Sequence, residues 1–540
     1  MDKTLHEVEG RGRSPQRLAP NIAGNRCTSP GPVFATGSAH GVSILHRDTT
    51  WRVHEAAQTS LLVDGRDYYR AFHAAAMTAT RSILLLGWQF DSDVQLLRGE
   101  DVPHGARPTD FQLLSLLDHL CRERPELQTR VLAWDHSVFF ALEREILQKL
   151  YFDAITCERF AFRWDSTVPF GGSHHQKVAI IDGRIAFFGS QDIAQARWDD
   201  SQHLPTNTLR FSRDQHHQPY HEVQIAVRGE AARSMVDLFA RRWHGATGEE
   251  LDVDALVSSG EPPDVPVTLP MPAARLGLAR TIPEVEGRAP VREVSALYAA
   301  TIIRAEHLIY IESQYLTACV VRDALIDRMR DATRPKLDLV LVLPQKPEKF
   351  KEEMAVGVPQ ALLLRALDEE ARRHGHAFSV FNVQAGTDAT GRPVHVYIHA
   401  KLMIVDDRWF VVGSANLTNR SMTIDSEICA VYDAEKDLRV SRAIRRARVR
   451  LLTEHLGGVA NLAMLRTLVQ PEGLAGRLEG LAETGNVRLR KHHPEAIEPS
   501  LLAKTVHGLT AELLDPWDHF ERTCASPPSE SPFAPVSEVL

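Results

Sequence analysis

Apolar residues along this chain fall into short runs separated by helix-length amphipathic segments. Asp67 to Thr80 has helical spacing and feeds the apolar run Ile83-Leu84-Leu85-Leu86. Phe111 to Glu123 predicts a second helix, and Val131-Leu132-Ala133-Trp134 a second strand. Two further pairs of runs read as hairpins. Val178 to Ile181 and Ile185 to Phe188 flank Asp182-Gly183, a tight-turn signal. Leu402 to Val405 and Trp409 to Val412 flank Asp406-Asp407 in the same way. Strands separated by helices predict α/β sheets.

The second half of this pattern repeats the first. Arg81 to Phe90 aligns with Glu306 to Tyr315, Thr129 to Trp134 with Leu337 to Val342, and His221 to Val227 with Ser426 to Val431. The offset is 225 at the first pair (306 minus 81) but 205 at the glutamates (427 minus 222), so the first half carries an extra loop of about twenty residues. A repeat this long predicts two similar domains rather than a solenoid. The expected architecture is α/β: two mixed sheets flanked by helices, pseudo-two-fold related, with the active site at their interface. Residues 1-50, rich in Pro, Gly, Ser and Arg, are expected to be a mobile tail with a short ordered end. The first domain is placed at 51-255, with its motif region at 169-196. A Pro-rich linker without strand or helix signal is placed at 256-290, and the second domain at 291-475, with its motif region at 393-420. A helical stretch is expected beyond Gly457, and residues 476-540 form a C-terminal extension with an end expected to be disordered.

A chain of 540 residues exceeds the usual size of one hydrophobic core, in agreement with the duplication. A net charge of -8 argues against general affinity for nucleic acid. The six cysteines are scattered without a CxxC pair, which favours reduced thiols. The polar N-terminus has no signal core, and no apolar run reaches the length that spans a bilayer. The expected location is the cytoplasm or, peripherally, a membrane surface. Export by a route that reads no N-terminal signal stays open. Oligomeric state is not legible.

The chemistry lies in a duplicated motif. His175-Gln-Lys177-Val-Ala-Ile-Ile-Asp182 recurs as His399-Ala-Lys401-Leu-Met-Ile-Val-Asp406, both reading H-x-K-x4-D. Gly-Ser follows each motif histidine at the same offset of 14, as Gly189-Ser190 and Gly413-Ser414. Paired imidazoles and paired ammonium groups suit attack on a phosphodiester without a metal: imidazole is the nucleophile and proton carrier, and lysine neutralises the phosphoryl oxygens. His and Lys stand two residues apart at a strand start, which points both to one face. Each imidazole needs an acceptor on its other nitrogen. Glu222 and Glu427 hold equal repeat positions and are the candidates, Glu222 expected on His175 and Glu427 on His399. Ser190, Ser414 and Asn416 are assigned neutral hydrogen bonds to the phosphate. Asp192 occupies the position equivalent to Asn416, but its charge argues against phosphate contact. Asp182 and Asp406 fall at turns and are read as structural. His203, His216, His217 and His221 crowd the inserted loop, in a spacing that fits no strong metal pattern. Neither a metal nor another cofactor is expected.

These motifs resemble the phospholipase D superfamily over most of residues 51-475. Ser173-His174-His175-Gln176-Lys177, Pro219-Tyr220-His221-Glu222-Val223 and Ile309 to Tyr315 are similar to its phospholipid-active branch. Leu61 to Gly65 with Gly87 to Ser92 is similar to bacterial stand-alone members. The resemblance implies two phospholipase-D-like domains sharing one site. It implies that His175 attacks phosphorus to give a phosphohistidine, while His399 protonates the leaving alcohol and then activates water or an acceptor alcohol. The implied activity is that of a phospholipase D: a glycerophospholipid at a membrane surface is hydrolysed to phosphatidate and a free head group, with transphosphatidylation as a side activity. The rivals are a cardiolipin-synthase-like phosphatidyltransferase and, against the acidic charge, a nuclease. Phe350 to Val358 reads either as a lipid-facing loop or as a helix start packed on the sheet.

Overall fold

The computed structural model describes residues 43–135, 148–213, 215–285, 287–347, 356–434, 436–458, 461–492 and 515. The apolar run at 83-86 becomes the strand Ser82–Gly87, buried at every position. It pairs in parallel with Gln128–Trp134, which pairs in parallel with Phe160–Asp165. Its other edge meets Val178–Ile181, which turns back into Ile185–Gly189 and then meets Val223–Arg228, all antiparallel. Both faces are covered, so the strands read as continuous apolar runs rather than alternating ones. Ile83 and Leu85 pack under the helices Asp64–Ala76 and Leu113–Glu123, while Leu84 and Leu86 face the helix Glu230–Thr247.

The second half repeats this topology strand for strand. Leu308–Glu312 lies between Asp338–Val342, parallel, and Leu402–Val405, antiparallel. Ala377–Thr387 extends one side. Trp409–Gly413 and Glu427–Asp433 extend the other. Each half is thus a mixed sheet flanked by helices, as the repeat predicts.

The halves are more tightly joined than expected. Arg52–Val63 pairs with Val223–Arg228, and Leu269–Ile282 pairs with Glu427–Asp433, so each closes its own half. These two equivalent strands also pair antiparallel with each other, which merges both sheets into one of 17 strands among the described residues. The expected linker at 256-290 therefore contains a 14-residue strand. Pro270, Pro272 and Gly277 obscure it in the sequence. Pro272 is tolerated because the ladder is irregular between Met271 and Ala274.

Both expected ends shift as well. Ile44 and Leu45, placed in the tail, are buried in the second half's core. The rest of the tail, residues 1-42, lies outside the described residues. Beyond 475, the helix Leu474–Glu483 and the strand Leu489–Lys491 extend the second half, the strand pairing with Ala377–Thr387. Most of residues 493-540, including the end expected to be disordered, lie outside the description. Of Phe350 to Val358, Val356 and Val358 are buried, and the residues before Val356 are not described. Among the described residues no helix is long and apolar enough to cross a membrane.

Candidate active site

Each H-x-K-x4-D motif is anchored at its aspartate. Asp182 and Asp406 occupy hairpin turns with φ of 54°, a left-handed conformation that Asp tolerates. Asp182 accepts the amides of Thr80, Arg81 and Ser82, and Asp406 those of Glu306, His307 and Leu308, at 2.6–2.9 Å. Each turn is thereby locked to the entrance of its half's central strand. Seven residues of extended chain put either aspartate roughly 20 Å from its histidine.

At the other end of each strand the motif leaves its own half and pairs with the opposite one. The His175 amide donates to the Ser426 carbonyl at 3.0 Å, and the His399 amide to the His221 carbonyl at 2.9 Å. Those carbonyls belong to the residues just before Glu427 and Glu222. His175 Nδ1 consequently sits 3.0 Å from Glu427 Oε1, and His399 Nδ1 sits 2.8 Å from Glu222 Oε1. This corrects the expected pairing within each half: the glutamates are the histidine partners, but crossed between halves. The cause is register. Inside one half the glutamate and the motif lie on separate strands of the same antiparallel ladder, with Ile185–Gly189 or Trp409–Gly413 between them. Only the facing half brings a glutamate to the histidine. With Nδ1 held by a carboxylate, Nε2 is the nitrogen left for chemistry, and the side chains of His175 and His399 keep 14% and 7% of their surface.

The lysines close the site. Lys177 Nζ donates to the His175 carbonyl at 3.2 Å and pairs with Asp192 at 3.0 Å. Lys401 Nζ donates to the His399 carbonyl at 2.6 Å and to Gln314 Oε1 at 3.2 Å. Asp192 also accepts the Trp88 amide at 2.9 Å, so its charge is compensated.

The expected phosphate role of the serines is corrected. Ser190 Oγ accepts the Val223 amide and donates to the Val223 carbonyl, both at 3.0 Å. Ser414 Oγ accepts the Ile428 amide and donates to Glu427. Both are wholly buried, and they fix the backbone that carries the glutamates. Of the three residues assigned to phosphate, only Asn416 retains exposure, at 8%. His174 lies 3.0 Å from Asp165 and bonds Ser426 Oγ at 2.9 Å, bracing the crossing strand beside Glu427.

Sequence reasoning assigned no role to the side chains around His399, although Tyr220 and Gln314 lie in segments that carry the family resemblance. Tyr220 and Tyr397 flank its ring at 5.4 and 6.3 Å, on two short strands that pair in parallel across the halves. Gln314 links Lys401 to the Tyr397 hydroxyl. Arg197 lies over Tyr220 at 4.8 Å. Their signal was weak: scattered aromatic and amide residues, meaningful only once the halves meet.

The electrostatics favour an incoming anion. Burial, then Lys177 and Lys401, push the His175 imidazole well below its ordinary range. Burial, then Lys401 and Arg197, do the same to His399. Burial lowers the Lys401 ammonium to about 7 and raises the Glu427 carboxyl to about 7. A phosphodiester between the lysines relieves this repulsion and restores the protonated forms. A lowered lysine keeps its charge below its pKa and loses it as pH rises. For the free enzyme, kcat/KM should therefore fall as pH rises through about 7, with Glu427 titrating in the same range as part of one coupled cluster. The alkaline limb of kcat should lie higher, because bound anion holds the proton on Lys401. Profiles on a soluble phosphodiester check this, and superimposable alkaline limbs for the two parameters would show that the anion does not act on the lysine.

The chain is similar to several known proteins. A family model described as "Cardiolipin synthase, PLD-like domain" matches residues 298–446. Phospholipase D A of Dictyostelium discoideum is 25% identical over 466 residues, covering 74% of this chain and 35% of that protein. Phospholipase D alpha 4 of Arabidopsis thaliana is 23% identical over 500 residues, covering 73% of this chain and 64% of that protein. The chain thus spans about a third to two thirds of these relatives' lengths. Among solved structures, phosphatidylserine synthase of Haemophilus influenzae Rd KW20 aligns with a TM-score of 0.48 at 13% identity, covering 80% of this chain and 95% of that one.

Proposed function

We propose that this chain, which belongs to the phospholipase D superfamily, cleaves the distal phosphodiester bond of glycerophospholipids at a membrane surface. The observation that carries the reading is the pair of imidazoles, each fixed through Nδ1 by a buried carboxylate, beside two ammonium groups. His175 Nε2 attacks phosphorus. The bond from phosphorus to the head-group oxygen breaks, and His399 gives that oxygen a proton. Lys177 and Lys401 neutralise the non-bridging oxygens. His399 then takes a proton from water, the oxygen attacks phosphorus, and the P–N bond to His175 breaks. Phosphatidate and a free head group result. An alcohol in place of water gives transfer, by the same two steps.

The description of the matched family model, a cardiolipin synthase domain, favours phosphatidyl transfer to an alcohol as a second reading. A net charge of -8 disfavours nucleic acid as substrate. Mass spectrometry of products from mixed phospholipid vesicles decides among these. Phosphatidate should dominate without added alcohol, and phosphatidylglycerol should appear when glycerol is present. Phospholipids left intact beside cleaved oligonucleotides would refute the proposal.

A further inference from the structure

His221 does not belong to the catalytic pair, although it adjoins Glu222. Its Nδ1 lies 3.0 Å from Asp64 Oδ1 and 3.0 Å from Glu454 Oε1. His203 Nε2 lies 3.3 Å from the same Glu454 oxygen and 3.6 Å from Asp64 Oδ2. The four side chains are at most 2% exposed, and their donor atoms lie within 4.8 Å of one another. Ligands of a tetrahedral zinc ion with bonds of about 2.0–2.2 Å stand about 3.3–3.6 Å apart, close to these separations.

Two further observations point to an ion. Each imidazole has its outer nitrogen on a carboxylate, as metal-bound histidines do: His203 Nδ1 is 2.8 Å from Asp199, and His221 Nε2 is 2.8 Å from Glu312. Both carboxylates are themselves held, Asp199 by Arg210 at 3.0 Å and Glu312 by His455 at 3.0 Å. Asp64 Oδ2 is buried in the cluster and makes no hydrogen bond.

We propose that Asp64, His203, His221 and Glu454 bind one zinc ion or a similar divalent transition metal. Two carboxylates neutralise the ion while both imidazoles stay neutral. Two nitrogen donors at this spacing do not suit calcium, which takes six to eight oxygens at longer range. The site is closed by four protein ligands, so the ion is structural rather than catalytic. It ties the inserted loop and the start of the helix Asp64–Ala76 to the end of the second half's helix Leu438–His455. The Asp64 amide also donates to the Glu222 carbonyl at 2.8 Å, so the ion steadies the strand that positions His399. His216 and His217, the other histidines of the loop, bond the carbonyls of Arg210 and Gln218 instead.

Elemental analysis tests this without reference to activity. Full-length protein made in zinc-supplemented medium and purified without chelator should carry one zinc per chain, as should His216→Ala. His203→Ala should carry none. Should that variant fail to fold, Glu454→Gln keeps the volume and should also lose the ion. Cobalt-grown wild-type protein should show the intense visible absorption of a tetrahedral site. Folded wild-type protein without a transition metal, its melting temperature unmoved by added zinc, overturns the proposal and leaves two doubly protonated imidazoles as the filling of the cluster. Full metal content in both His203→Ala and Glu454→Gln overturns it equally.

Discussion

Replacing His175 with alanine should lower phospholipid turnover on the order of 10⁴- to 10⁶-fold, the loss typical of removing a nucleophile. Wild-type enzyme quenched with denaturant at neutral pH should carry an acid-labile phosphatidyl group on His175, located by peptide mass spectrometry, and His175→Ala should carry none. His399→Ala should be as inactive on natural lipids, whose alkoxide leaving group needs a proton. It should still form the adduct from a nitrophenyl phosphodiester, whose leaving group departs unprotonated. The contrast separates the two roles, which geometry alone leaves near-symmetric: both imidazoles are held through Nδ1 and both lie beside a lysine. An adduct that maps to His399 would reverse the assignment.

Exchanging either glutamate for glutamine should lower kcat by about 10²- to 10⁴-fold, through loss of the charge that orients and charges the imidazole. The crossed geometry makes the two variants distinguishable. A carboxylate favours the imidazolium, so its removal lowers the histidine's pKa further. Glu222→Gln acts on His399, the proposed acid. Its alkaline limb should move to lower pH, and its loss should be much larger for an alkyl than for a nitrophenyl leaving group. Glu427→Gln acts on His175, the proposed nucleophile. Its acidic limb should move to lower pH, with similar losses on both substrates. If the leaving-group sensitivities come out exchanged, each glutamate serves its own half, and the crossed contacts at 3.0 and 2.8 Å are not the working ones.

The elements that formed where the sequence placed them are those whose signal is local. The runs at 83-86, 178-181 and 402-405 are apolar at every position, and a fully buried strand is the state that such a run favours. The strand Leu269–Ile282 was hidden because its stability is not local. Two prolines spoil its pattern, and it gains order by pairing on both edges with strands far away in sequence. The ordered end of the tail could not be assigned to Ile44 and Leu45 for a related reason: two apolar residues in a polar stretch carry no periodicity, and only the second half's core gives them a place.

The sequence by itself determined the duplication and named the groups on which the proposed chemistry rests. Residue types at fixed spacing name two imidazoles, two ammonium groups and two carboxylates, and the repeat makes them equivalent. It could not determine who meets whom. His175 and Glu427 are 252 positions apart, and no helical or strand period reaches that far. The tertiary structure decided the crossing, because each motif can reach a glutamate only over the seam where the halves face each other. It also decided that Ser190 and Ser414 support the glutamate strands, and that His203 and His221 meet while His216 and His217 do not. Those outcomes depend on burial and on the register between distant strands, which arise only when the whole sheet closes.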